Sequence, residues 1–119
     1  MLVRLLKSKL HRACVTKSTL DYPGSIAIDS ELMETAGILP YEVVLIADIN
    51  NGSRLETYVV PADAGSKEIA ILGAAARLVK PKDIIIIMAF AFYTPEDAAE
   101  AKPKIIVLDE NNEIIKQMP

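Results

Sequence analysis

The 119-residue chain contains one cysteine and one histidine. Cys14, being alone, can form neither an internal disulfide nor a cysteine metal cluster, and it reads as a small packed side chain. A single His11 excludes a multi-histidine metal site and leaves any Ser-His catalytic pair dependent on that one residue. No phosphate-binding glycine loop, metal-ligand run or nucleophile elbow is present, so no metal is expected. Basic residues are spread along the chain and the formal net charge is -3, which leaves no positive stripe for phosphates and argues against nucleic acid as a partner. The longest apolar runs, such as residues 84–92, are too short for a transmembrane helix. The first residues carry Arg4 and Lys7 without a following signal-like apolar core. A cytoplasmic protein without a membrane partner is expected.

The composition is otherwise ordinary for a folded domain: 51% of residues are hydrophobic and 24% charged. Residues 1–119 are expected to form one domain, since no linker, repeat or low-complexity tract interrupts them. Residues 10–16, 26–29, 43–49, 55–60, 69–72, 84–92, 104–108 and 113–116 read as strands. Asp29 or Ser30 can cap a helix through Ala36 that Gly37 stops, and residues 73–79 read as a helical turn. Asn50-Asn51-Gly52 and Asn111-Asn112 mark hairpin turns. Such spacing favours a small barrel or sandwich. Its near-continuous apolar strands suggest burial on both faces, by helices or by neighbouring subunits. A mean hydropathy of +0.28 in so short a chain also favours association.

None of this names a reaction. Tyr22-Pro23-Gly24-Ser25, just before an expected strand, resembles the self-processing site of pyruvoyl-dependent aspartate 1-decarboxylases. Four further segments stand in that family's order and spacing. They are Lys7-Ser8-Lys9-Leu10-His11-Arg12, Asn51-Gly52 followed by Arg54, Thr57-Tyr58, and Gly73-Ala74-Ala75-Ala76. A Gly-Ser dipeptide alone is an ordinary turn; five segments in register are not.

The resemblance implies a mainly β fold, a small six-stranded double-psi β-barrel with short helices. It further implies a homotetramer with active sites between subunits. The chain would be a zymogen that cuts itself between Gly24 and Ser25 into residues 1–24 (the β chain) and 25–119 (the α chain). In the family's route the Ser25 hydroxyl attacks the Gly24 carbonyl and turns the peptide into an ester. Elimination leaves dehydroalanine at position 25, and hydrolysis releases ammonia and leaves a pyruvoyl group. Glycine at 24 is expected to hold a backbone geometry that larger residues resist. The pyruvoyl ketone takes the substrate amine as a Schiff base and acts as electron sink, the work pyridoxal phosphate does elsewhere. A lyase converting L-aspartate to β-alanine and CO2 for pantothenate biosynthesis follows.

By the same resemblance Arg54 and Lys9 hold substrate carboxylates, the first as a planar fork and the second as a point charge. Tyr58 donates a proton to the decarboxylated species, and Thr57 stabilises charge on the reacting carbonyl during cleavage. Gly73, Ala74 and Ala75 offer backbone N–H groups to substrate, and Tyr22 borders the pocket. His11 is read as structural or pocket-lining. Alternation puts Thr57 and Tyr58 on opposite faces of a strand, so their joint use calls for a local bend or a subunit boundary. One departure stands out: the family usually carries Asn before its Gly-Ala-Ala-Ala run, and this chain has Leu72. Two other readings remain at this point, a non-processing barrel binding a small acid or a protein partner, and a decarboxylase of another acidic amino acid such as glutamate. A maturation factor is a further possible partner.

Overall fold

The computed structural model describes residues 1–118. Its strands are β1 (Val3–Cys14), β2 (Lys17–Thr19), β3 (Ser25–Asp29), β4 (Val43–Asp48), β5 (Arg54–Ala62), β6 (Ile69–Leu72), β7 (Ile84–Tyr93), β8 (Lys104–Leu108) and β9 (Ile114–Met118). Two short helices, α1 (Ser30–Ala36) and α2 (Pro95–Glu100), and a 3₁₀ turn at Gly73–Arg77 complete the elements. The fold is mainly β, as expected, but the strand count is not. Nine strands follow one open order, β2-β6-β3-β5-β4-β7-β1-β8-β9. The expected six falls short because three edge strands extend a run of six. Lys17–Thr19 pairs in parallel with β6 at one end, and the β8–β9 hairpin adds to β1 at the other.

Local chemistry explains the elements that were foreseen. Asp29 caps α1 by accepting from Glu31 N at 2.8 Å, and Gly37 closes the helix with φ +73°. β4 and β5 form the hairpin around Asn50-Asn51-Gly52, in register from Val43↔Tyr58 to Ala47↔Arg54. The helix α2 was not foreseen, although its signal is present: Thr94 caps it by accepting from Asp97 N at 3.2 Å, and Pro95 occupies the first turn.

Within one chain, burial covers one face of β4 and β7. β7 alternates, with Ile85, Ile87 and Ala89 fully buried and the residues between them partly exposed. The buried set packs with Leu10, Ile26, Ile28, Ile46, Val59, Ile69 and Ile71 into one core. The opposite face of β4 and β7 is left open, with Val43 56% exposed. β1 carries register shifts between Leu6 and Ser8 and between Leu10 and Ala13, and Arg12 in the second has φ 66°. Such bulges bend a long strand, and here they let β1 pair with β7 on one side and β8 on the other.

Two buried polar residues tie the loops to this frame. The Asp29 carboxylate also accepts from Gly65 N at 3.0 Å and Lys67 N at 2.8 Å. The Asn112 side chain accepts from Cys14 N and donates to the carbonyls of Cys14 and Lys67. Burial alone would raise the pKa of Asp29, but the N–H groups of Lys67, Glu31 and Gly65 outweigh it and hold the pKa below its ordinary value. A carboxyl with a depressed pKa stabilises the fold above the ordinary carboxylate range, and that stability is lost as pH falls through the folded pKa. Asp29→Asn should therefore cost about 1–3 kcal/mol near neutral pH. In urea titrations the difference from wild type should shrink as pH is lowered below the carboxylate range.

Candidate active site

The segment Tyr22-Pro23-Gly24 is exposed, whereas Ser25, the first residue of β3, is only 3% exposed. Pairing on both sides of β3 causes the change. Ser25 lies opposite Leu72 on antiparallel β6, and Ile26 opposite Val59 on parallel β5. One step back along β3 and β5 brings Ser25 level with Tyr58 and Gly24 level with Thr57. Gly24 and Thr57 do share the wall of a cavity of about 360 Å³, together with Leu55, Glu56, Leu72, Ala74, Ala75 and Leu78.

The cavity thus gathers four residues that the sequence pointed to, Gly24, Thr57, Ala74 and Ala75, with Ser25 at the chain step beside them. Leu72 lines it too, 8% exposed, and brings a hydrocarbon side chain where an amide was expected. Leu55, Glu56 and Leu78 were not anticipated. Leu55 was within reach of sequence reasoning, since alternation along β5 puts it on the same face as Thr57.

The expectation for Gly24 needs correction. Its φ is not in the left-handed region, and a Cβ added there would meet only the Leu72 carbonyl oxygen, at 4.0 Å. The tight contact comes from the other side, where Gly73 lies against the Tyr22–Gly24 backbone.

Other expected site residues lie elsewhere within one chain. Arg54 and Tyr58 lie on the exposed face of β5, opposite Leu55, Thr57 and Val59, and Glu56 between them also borders the cavity. β5 pairs with β4 without a register shift, so no bulge brings Thr57 and Tyr58 together. The Tyr58 ring stacks obliquely on Tyr41, with centroids 6.2 Å apart. Lys9 lies on β1 in the row Lys9–Met88–Leu45–Glu56, three strand spacings from β5, or about 14 Å. Among the described residues neither Lys9 nor Arg54 takes part in an ion pair. Tyr22 is 56% exposed and does not line the cavity. His11 is partly buried with Nδ1 unpartnered. Burial, then Lys9 and Arg12, lower its pKa, which leaves the imidazole neutral at pH 7.

The turn that delivers Arg54 is anchored to the cavity wall. Asn51 donates to the Leu78 carbonyl at 2.7 Å and accepts from Ser53 N, while Asn50 accepts from Ile84 N.

A profile of the aspartate decarboxylase family matches residues 1–115. The chain belongs to that family. Among its relatives, an aspartate 1-decarboxylase of Thermosipho africanus is 55% identical over 113 residues, covering 94% of this chain and 92% of the relative. One of Caldicellulosiruptor saccharolyticus is 53% identical over 98% of this chain and 91% of its own. One of Salinibacter ruber is 49% identical over 94% and 77%. The crystal structure of a computationally designed protein overlaps 73% of this chain and 99% of its own at 22% identity and a TM-score of 0.49, too slight a likeness to bear on topology. For a member of the aspartate decarboxylase family, the described residues hold no cluster of metal-binding side chains and no helix long and apolar enough to cross a membrane.

Beneath the Arg54 turn, this family member also buries one carboxyl, Asp48, beside the partly exposed Asp83. Asp48 is 2% exposed and accepts from Asn50 N through Oδ1, while its Oδ2 is buried without a hydrogen-bond partner. Burial, then the neighbouring carboxyl of Asp83, raise its pKa to about 6. A raised acid pKa stabilises the fold only while the group stays protonated, so stability is lost as pH rises from the ordinary carboxylate range through about 6. Asp48→Asn keeps an acceptor for Asn50 and adds a donor for Asp83. It should raise stability at pH 8 by on the order of 1 kcal/mol. Thermal melts across pH should show that gain fading towards pH 4, the unfolded carboxylate range.

Proposed function

We propose that this chain is an aspartate 1-decarboxylase that cuts itself between Gly24 and Ser25 and converts L-aspartate to β-alanine and CO2, supplying pantothenate biosynthesis. The observation that carries the reading is the meeting of Gly24, Thr57, Ala74 and Ala75 around one cavity, with Ser25 buried beside it, in a chain of this family.

The residues present suit a pyruvoyl group made from Ser25. The position is nearly closed to solvent, its walls are small or apolar apart from Thr57 and Glu56, and no outside cofactor has to be seated. That group supplies the electron sink for loss of the α-carboxylate. In maturation, Thr57 stabilises charge on the Gly24 carbonyl oxygen while Ser25 Oγ attacks its carbon. The 24–25 amide nitrogen takes up a proton and becomes the amine of an ester-linked residue 25. In turnover, Arg54 and Lys9 bind the two substrate carboxylates, Tyr58 delivers the proton to the carbon that lost CO2, and Gly73, Ala74 and Ala75 present backbone N–H groups.

Lys9, Arg54 and Tyr58 stand off the cavity of their own chain, so the reading requires a second copy to present them. The open face of β4, β5 and β7 supports this, because Val43, Leu45 and Met88 continue the apolar surface between Lys9 and Tyr58. A homotetramer with shared sites, built on a double-psi barrel and working in the cytoplasm, completes the proposal. A second reading, a barrel that binds a small acid without processing itself, is favoured by one observation, the hydrocarbon side chain of Leu72 in the cavity wall.

The assay is β-alanine release from L-aspartate with no added cofactor, set against L-glutamate in competition. Phenylhydrazine, which condenses with ketones, should abolish turnover. Arg54→Ala should lower kcat/KM about 100-fold or more, the scale of a lost charge-assisted carboxylate contact. Unaltered kinetics in that variant would remove Arg54 from the site, and preferred turnover of glutamate would change the substrate.

A further inference from the structure

Gly73 begins the 3₁₀ turn with φ +83°, a conformation that favours glycine. Three other glycines share this region, Gly37 at +73°, Gly52 at +76° and Gly65 at +80°. Their surroundings differ from that of Gly73. A Cβ added at Gly37 or Gly52 would meet nothing within 4 Å, and one at Gly65 would meet only the end of the Glu31 side chain. At Gly73 it would lie 2.6 Å from Gly24 Cα, 2.7 Å from the Tyr22 carbonyl oxygen and 2.8 Å from Gly24 N. All three are backbone atoms, so no change of rotamer relieves the overlap. The segment on either side of Pro23 would have to lift off the turn.

Position 24 has no such demand, since a Cβ there meets one carbonyl oxygen at ordinary contact distance. Steric selection for glycine at the cut therefore acts through residue 73. Leu72 adds the second half of the clamp. It pairs with Ser25 across β3 and β6, so consecutive residues of one strand end hold the two sides of the 24–25 bond.

We propose that Gly73 is a positioning residue for self-cleavage: its bare α-carbon lets the Tyr22–Gly24 backbone close onto the 3₁₀ turn and holds the Gly24 carbonyl carbon within reach of Ser25 Oγ. This rests on the self-cleavage reading and gives Gly73 a part in making the active chain, separate from any contact it makes with substrate.

The test compares Gly73→Ala with Gly37→Ala, which carries a similar positive φ but no contact. Scission of the full-length chain is followed by denaturing mass spectrometry, with a thermal melt of each variant. Gly73→Ala should fold, with a melt lowered no more than by a comparable φ penalty, and cut about 100-fold more slowly, the scale for a misplacement of about 1 Å between reacting groups. Gly37→Ala should cut at the wild-type rate. Hydroxylamine, which cleaves esters, should accelerate scission of the wild-type precursor and not of Gly73→Ala, because the ester does not form when the carbonyl is displaced. Wild-type scission in Gly73→Ala, or equal acceleration by hydroxylamine, would overturn the proposal. So would a Gly73→Ala chain that fails to fold where Gly37→Ala folds, since that would make Gly73 a residue of the fold and not of the cut. A wild-type chain that never cuts would overturn the self-cleavage reading, and this inference with it.

Discussion

Strand β3 is held in one register by two partners at once, parallel to β5 and antiparallel to β6, and all five of its residues are buried. A strand paired on both sides cannot slip without turning every side chain to the wrong face. That constraint fixes Ser25 opposite Leu72 and carries Gly24 to the wall shared with Thr57. It also leaves Tyr22-Pro23-Gly24 as the short exposed approach to a buried residue. An exposed peptide segment running into a clamped strand end concentrates conformational restraint at the 24–25 bond, where the proposed chemistry occurs.

The far end of the same strand shows how that restraint is maintained. Asp29 leaves β3 by capping α1 and binding Gly65 N and Lys67 N, so the strand is anchored at its exit as well as along its length. β5 carries residues of the candidate site on both of its faces. One of its faces, with Leu55 and Thr57, belongs to the cavity. The other, with Arg54 and Tyr58, is continuous with the open apolar face of β4 and β7. A straight strand cannot bring both faces to one substrate, and the regular β4–β5 register keeps it straight. In the proposed function, a second copy supplies the face that one chain cannot.

Local chemistry was legible in the sequence, and non-local pairing was not. The helix α1 could be read because its cap, its apolar positions and Gly37 lie within nine residues of one another, and the β4–β5 hairpin because Asn50-Asn51-Gly52 announces it. β2 escaped notice because three residues have no period of their own and are ordered by β6, some fifty residues away. The parallel pairing of β1 with β8 likewise has no local signal. At the site, Thr57, Ala74 and Ala75 line one cavity with Gly24, yet the resemblance gave no sign that Lys9 and Arg54 lie on another face, because strand order decides that. Asp48 was invisible for a similar reason: its burial beside Asp83 follows from the meeting of two turns distant in sequence.

The central claim, that the clamped β3 entrance makes its own cofactor from Ser25, is tested most directly by denaturing intact mass spectrometry of purified full-length protein before and after warm incubation. The account predicts two fragments, residues 1–24 and 25–119, the larger with its N-terminal serine replaced by a pyruvoyl group. A single intact chain after prolonged incubation would contradict it and would turn attention to Leu72 and to a barrel that binds without processing.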